Sequence, residues 1–133
     1  MILVAALVVS SCCYAADRRV FRNSSGQIVG TSTQQGSHTV YRDASGRIQG
    51  SSAIVGNRTI YRDASGRIQG SSTVQGGRTV YRDASGRVTG TATPGGSRTV
   101  YRDGSGRIKM TGSSSGKQTV YRDASGRIIL RKQ

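Results

Sequence analysis

Tyr41-Arg42, Tyr61-Arg62, Tyr81-Arg82, Tyr101-Arg102 and Tyr121-Arg122 recur every twenty residues, and Phe21-Arg22 is an altered first copy. An aromatic ring beside a guanidinium can stack on a sugar or a base and hold an anionic group there, or it can form cation–π contacts within the protein. As a stripe, these pairs are the candidate ligand-binding residues of the chain. The competing use is packing. Tyr is a strand former, and a chain poor in large apolar side chains needs every ring it has.

Other residue types offer less chemistry. Asp43, Asp63, Asp83, Asp103 and Asp123 also come once per copy, so no two carboxylates are spaced for acid–base work and too few gather to bind calcium. They read instead as turn formers that face the Arg after the glycine. His38 is the only histidine, and no nucleophile–His–acid set can be assembled around it. Gly112-Ser113-Ser114-Ser115-Gly116 has the outline of a nucleophile elbow without the strand–turn–helix context that such a Ser requires. Continued to Lys117-Gln118, it falls one residue short of a phosphate-binding loop and has Gln where Ser or Thr is needed. Cys12-Cys13 matches no metal spacing. The expectation is a non-enzymatic protein with no cofactor, no metal and no evident small-molecule substrate.

The elements that must carry these residues follow from the period. Thr-Val-Tyr-Arg-Asp-Ala-Ser-Gly-Arg-Ile, with minor changes, starts at Thr39, Thr59, Thr79, Thr99 and Thr119, and a worn copy starts at Arg19. Fixed-period self-similarity specifies a repeat array rather than one globular core around one active site. Apolar residues are 34% of the chain, below the usual near-half, and Trp is absent. Stability must therefore come from strand hydrogen bonding and stacking of neighbours. Twenty basic residues against six acidic ones give a net charge of +14, which favours polyanions as partners: anionic polysaccharide, lipopolysaccharide or nucleic acid.

Each copy reads as two strands. Thr-Val-Tyr-Arg is rich in β-formers, and Asp-Ala-Ser-Gly has the composition of a type I turn followed by a glycine bulge. The second strand is Arg-Ile-Gln-Gly-Ser-Ser and its variants, closed by Gly36-Ser37, Gly56-Asn57, Gly76-Gly77, Gly96-Ser97 or Gly116-Lys117, which suit a type II′ turn. Pro94 falls just before one of these turns, where a ladder N–H can be spared. The fold class is all-β, an antiparallel hairpin array of six twenty-residue repeats with eleven or twelve strands, either a single-layer meander or a β-solenoid. The meander is favoured because a solenoid stacks identical Arg side chains about 4.8 Å apart, where each like pair costs about 0.9 kcal/mol even in water.

The register follows from the first turn. Asp43 faces Arg47, Arg42 faces Ile48 and Val40 faces Gly50, so that Val and Ile share one face and Tyr, Thr and Gln the other. A three-residue and a two-residue turn give an odd total in an even period, and faces would swap from copy to copy. Each copy must therefore contain a bulge or a three-residue second turn.

Residues 1–16 form a short apolar run ending in small residues, as in a secretory signal, although no Lys or Arg precedes it. The alternative is a lipoprotein signal ending before Cys12, since Val9-Ser10-Ser11-Cys12 resembles a degenerate lipobox. Residues 17–133 are then the repeat domain, placed outside the cell, in the periplasm or at the cell surface, with a lipid anchor in the outer membrane as the variant.

Tyr61-Arg-Asp-Ala-Ser-Gly-Arg-Ile-Gln-Gly-Ser-Ser resembles the YRDASGR-type tandem repeats of uncharacterised bacterial and phage-encoded proteins, over nearly all of the repeat domain. That resemblance implies no activity. A looser one is to the hairpin repeats of choline- and glucan-binding cell-wall modules. Those hold ligand with Trp and paired aromatics, and this chain has one aromatic per repeat. The functional expectation is a secreted structural or adhesive repeat protein that self-associates through its Val/Ile face and its strand edges. The alternative is a basic glycan- or polyanion-binding module that uses the Arg columns and the Tyr stripe.

Overall fold

The computed structural model describes residues 17–133. The expected signal and the lipidation at Cys12 lie outside the described residues. Twelve strands follow in order: β1 (Asp17–Arg22), β2 (Ile28–Gln35), β3 (His38–Asp43), β4 (Ile48–Val55), β5 (Arg58–Asp63), β6 (Ile68–Gln75), β7 (Arg78–Asp83), β8 (Val88–Gly95), β9 (Arg98–Asp103), β10 (Ile108–Ser115), β11 (Gln118–Asp123) and β12 (Ile128–Lys132). Every neighbour pair is antiparallel, as a hairpin meander requires.

The first turn of each copy is built around its Asp. In copy two the Gly46 N–H donates to the Asp43 carbonyl at 3.1 Å and the Asp43 N–H to the Arg47 carbonyl at 2.9 Å. Gly46 takes φ +85°, within a degree of its counterparts Gly26 and Gly66, a conformation that a Cβ would strain. Asp43 Oδ1 accepts from the Ser45 N–H at 2.9 Å, the Ser45 hydroxyl at 2.6 Å and the Arg47 N–H at 3.0 Å. The Asp therefore partners the backbone of the following Arg, and its guanidinium is not the group it holds. In copy one Asn23 makes the same three contacts to Ser25 and Gln27. At the second turn Gly36 has φ +56° while Ser37 stays negative, the sign pattern of type II′; at Gly76-Gly77 both are positive, as in type I′.

The expected bulge is present in every copy. Arg42 faces Ile48, but Tyr41 already faces Gly50, so Gln49 is the extra residue. The same shift separates Tyr61 from Arg62, Tyr81 from Arg82, Tyr101 from Arg102 and Tyr121 from Arg122. Val40 consequently faces Ser51, one residue from the expected Gly50. The extra residue restores an even count over the two hairpins, and the side chains keep one face around the whole sheet.

The array is not open. β1 pairs with β12, and the meander closes into a twelve-stranded barrel, which rules out the solenoid. Twelve strands at about 4.8 Å give a sheet about 58 Å wide, which closes to a ring roughly 18 Å across before strand tilt. Closure satisfies the outer backbone groups of both terminal strands, which an open sheet leaves unpaired. The seam is short. Phe21 faces Lys132 and Arg22 faces Arg131, and beyond them Val20 and Gln133 exchange reciprocal hydrogen bonds at 3.1 Å.

Tyr41, Thr39 and Ser52 and their counterparts occupy the enclosed face, and Val40, Arg42, Ile48, Ser51 and Ala53 and their counterparts the outer one. Ala92, Tyr101, Met110 and Tyr121 form the buried cluster, with Tyr81 and Leu130 packed against it. Ile48, Ile68 and Ile108 stay exposed on the outside. Pro94 departs from the expectation. The Ile54 N–H and Ser114 N–H, at the same place in their copies, donate to the Ser37 and Ser97 carbonyls at 2.9 and 2.8 Å. Pro94 cannot, and the pairing of β7 with β8 begins only at Thr79 opposite Ala92.

Candidate functional site

The two halves of the expected stripe lie on opposite faces of the wall. Alternation along a strand separates Tyr41 from Arg42, and the same holds for Tyr61 and Arg62, Tyr81 and Arg82, Tyr101 and Arg102, Tyr121 and Arg122. The rings point into the barrel, so Tyr101 and Tyr121 are 5% and 3% exposed and offer no platform to a ligand outside. Packing is their use. The Tyr101 and Tyr121 rings lie 6.3 Å apart at a tilt of 52°. The structure thus divides the stripe, with the rings inside and the arginines outside. A single-layer sheet has one face to enclose, and these rings are the aromatic side chains that recur on it.

Inside, the copies diverge in a graded way. Tyr41 and Tyr61 exchange hydrogen bonds with Ser52 at 3.2 Å and Ser72 at 2.9 Å. The next residues in that series are Ala92, Gly112 and Lys132. The Tyr101 hydroxyl is accordingly buried with no hydrogen-bond partner among the described residues. Burial raises Tyr61 and Tyr121 to about 12 and raises Tyr81 and Tyr101 further. At the seam Arg19 donates to Asp17 Oδ2 at 2.9 and 2.7 Å. Lys132 is 6% exposed, and burial, with Arg19 nearby, lowers it to about 8. In the sequence this trio shows only as departures, Arg19 from the Thr of the other copies and Lys132 from the Ser of copies one to three.

The outer wall carries the cations. Nη1 of Arg42, Arg62, Arg82, Arg102 and Arg122 donates to the glycine carbonyl of its own turn at 3.0 Å in each copy, and Arg22 does so at 2.8 Å. Two or more N–H groups of each guanidinium are left over. At the other end of the wall Arg58 donates to the Ser71 hydroxyl at 3.3 Å. A groove of about 370 Å³ runs along β10 between Arg98 and Arg122, with Ile108, Thr111 and Ser113 in its floor and the Asp123–Gly126 turn at its end. Among the described residues Arg19–Asp17 is the one ion pair. The turn aspartates are held low, first by the neighbouring Ser hydroxyl and also by the Arg backbone N–H. They are ionised, with Oδ1 held in the turn and Oδ2 of Asp43 and Asp63 accepting from Gln49 and Gln69, and among the described residues none of them forms an ion pair with an outward arginine.

Among the described residues, the other candidate residues of the sequence lie apart. His38 is exposed at the start of β3, within 3.4 Å of the Ser37 hydroxyl. Residues 112–116 are the end of β10 and its turn. Among the described residues no cluster of His, Cys, Asp and Glu could hold a metal.

No protein family matches the sequence, and no curated protein does. Among solved structures the barrel is similar to the X-ray structure of a protein from Arabidopsis thaliana, with a TM-score of 0.64 over 90% of this chain and 82% of that one. At 11% identity the likeness extends to the fold alone.

Proposed function

We propose that the chain is a non-enzymatic binding module for anionic polysaccharide, acting outside the cell or at its surface. The observation that carries the reading is the outer wall: arginines in every copy, directed outward, with the acidic groups engaged in the turns. Sugar hydroxyls find Ser, Thr and Gln between the guanidiniums. Nucleic acid is the weaker polyanion here, because the rings on which bases would stack are enclosed. The extracellular placement rests on the signal-like composition of residues 1–16. The test is retention of residues 17–133 on a sulfated polysaccharide over a salt series. Affinity should fall on the order of tenfold for a threefold rise in salt, by release of the condensed counterions. Retention that ignores salt, or none at low salt, would sink the reading.

Self-association is the second reading, now with a different surface. The closed sheet leaves no strand edge for end-to-end growth. What favours assembly is the girdle of exposed Ile28, Ile48, Ile68, Val88 and Ile108 on the outer wall. Light scattering tests it: salt-resistant growth in mass with concentration supports this reading, and a monomer throughout removes it.

A further inference from the structure

We infer that the outer wall holds three equivalent oxyanion sites, one on each of β2, β6 and β10, and that each takes one sulfate or phosphate group of the polymer. The inference rests on the proposed polysaccharide binding and gives it places and a number.

Each site lies over one long strand, between arginines of the short strands on either side. On β6, Thr73 faces Arg58 of β5 and Ser71 faces Arg82 of β7. On β10, Ser113 faces Arg98 and Thr111 faces Arg122, and this is the groove with the Ile108 floor. On β2, Thr33 faces Arg18 and Thr31 faces Arg42. Two arginines of neighbouring strands thus face two hydroxyl residues, which supplies charge and hydrogen-bond donors beside a tetrahedral anion; on β6 the buried Ser71 hydroxyl contributes by holding Arg58 over the strand. The Arg58 contact to the Ser71 hydroxyl shows that this arginine reaches across the groove.

The copies themselves distinguish a site from a merely basic wall. Arg18, Arg58 and Arg98 face Thr33, Thr73 and Ser113. Where the arginine is replaced, the facing hydroxyl is lost with it: His38 faces Ala53, and Gln118 has Gln133 at the corresponding place. Arginine and hydroxyl change together although neither is buried in the core or needed by a turn. The remaining strand, β8, keeps Arg78 and Thr93, but Pro94 removes their pairing. Intact grooves therefore alternate with altered ones. The three intact grooves stand four strands apart, about 19 Å along the wall, evenly spaced around twelve strands.

Titration calorimetry on residues 17–133 with a fully sulfated disaccharide, shorter than that arc, tests this. The expected stoichiometry is about three per chain. Arg58→Gln with Thr73→Ala should remove one site and leave about two, while His38→Arg with Ala53→Thr should add one. Arg67→Gln, which removes the same charge from a turn whose backbone alone is used, should keep the number at three and cost about threefold or less in affinity, against about tenfold for the loss of a charge-assisted pair. If Arg67→Gln weakens binding as much as the groove variant, or His38→Arg with Ala53→Thr adds nothing, the wall acts as diffuse charge and the sites fall while polysaccharide binding stands. If the unaltered chain binds neither the disaccharide nor a long sulfated polysaccharide, the proposed function falls too. Tighter binding to poly(dT) than to sulfated polysaccharide would overturn the choice of polymer.

Discussion

Removing one hydroxyl from a tyrosine should have opposite signs in two copies of the same repeat. Tyr61→Phe deletes a 2.9 Å hydrogen bond and leaves the Ser72 hydroxyl, which is 3% exposed, without that partner. The loss is about 1–2 kcal/mol, the net worth of the bond plus the desolvation of the group left behind. Tyr101→Phe deletes a hydroxyl that is buried with no partner in bonding geometry among the described residues, because Gly112 stands where Ser72 stands in copy three; the Tyr121 hydroxyl is near enough to act on its pKa but makes no bond that meets the geometry. Its removal relieves about 1 kcal/mol or more of uncompensated desolvation, so the variant gains stability. For a chain of this size each kcal/mol moves the midpoint by roughly 4 °C. Urea unfolding of both variants at neutral pH, with unchanged slopes, should place their midpoints on either side of the parent. Adding Ser72→Ala to Tyr61→Phe should recover part of the loss, since two absent partners cost less than one. Destabilisation by Tyr101→Phe would refute the argument, and it would show that this hydroxyl has a partner in solution.

Three further outcomes follow from the same geometry. The Asp pKa values are lowered in the folded chain, first by the Ser hydroxyl, so their stabilisation is present above the ordinary carboxylate range and is lost as pH falls through the folded values. Asp83→Asn should keep its turn, as Asn23 does in copy one, and should flatten part of that acid loss in pH-dependent unfolding. Lys132 is lowered to about 8 from an ordinary 10.5, so the unfolded chain binds more protons between those values and stability rises with pH across that window. Lys132→Ser, the residue of copies one to three at that place, should abolish the rise in thermal midpoint between pH 7 and 9. Gly70→Met should cost about 1–3 kcal/mol in urea unfolding, because a Cβ there meets the Arg82 carbonyl oxygen, although Met110 is the natural residue at the corresponding place.

The repeat made the strands, both turns and the need for a bulge legible, because each depends on residues within a few positions: Asp43 and Gly46 for the turn, an even period for the bulge. It did not reveal that β1 would find β12. Closure depends on the summed twist of the sheet and on which face must be enclosed, and Arg19 and Lys132 at the seam are the least repeat-like residues of all. The Val40 register differs by one because the period requires a bulge without saying where it falls, and it falls at Gln49, between the turn and Val40's partner. The Arg columns were legible as charge. Their grooves were not, since Arg58 and Ser71 meet only across strands thirteen residues apart. Comparing the copies with one another, position by position, would have paired His38 with Ala53.

A closed ring also restricts how such a chain can change its length. In an open array a copy more or less alters only the reach of the ribbon. Here the copy number is the circumference. Dropping one copy, two strands, would shrink the wall from about 58 to about 48 Å and crowd the inward rings into a narrower bore, while one more would leave that bore underfilled. A change in copy number, harmless to an open ribbon, therefore acts here on closure itself.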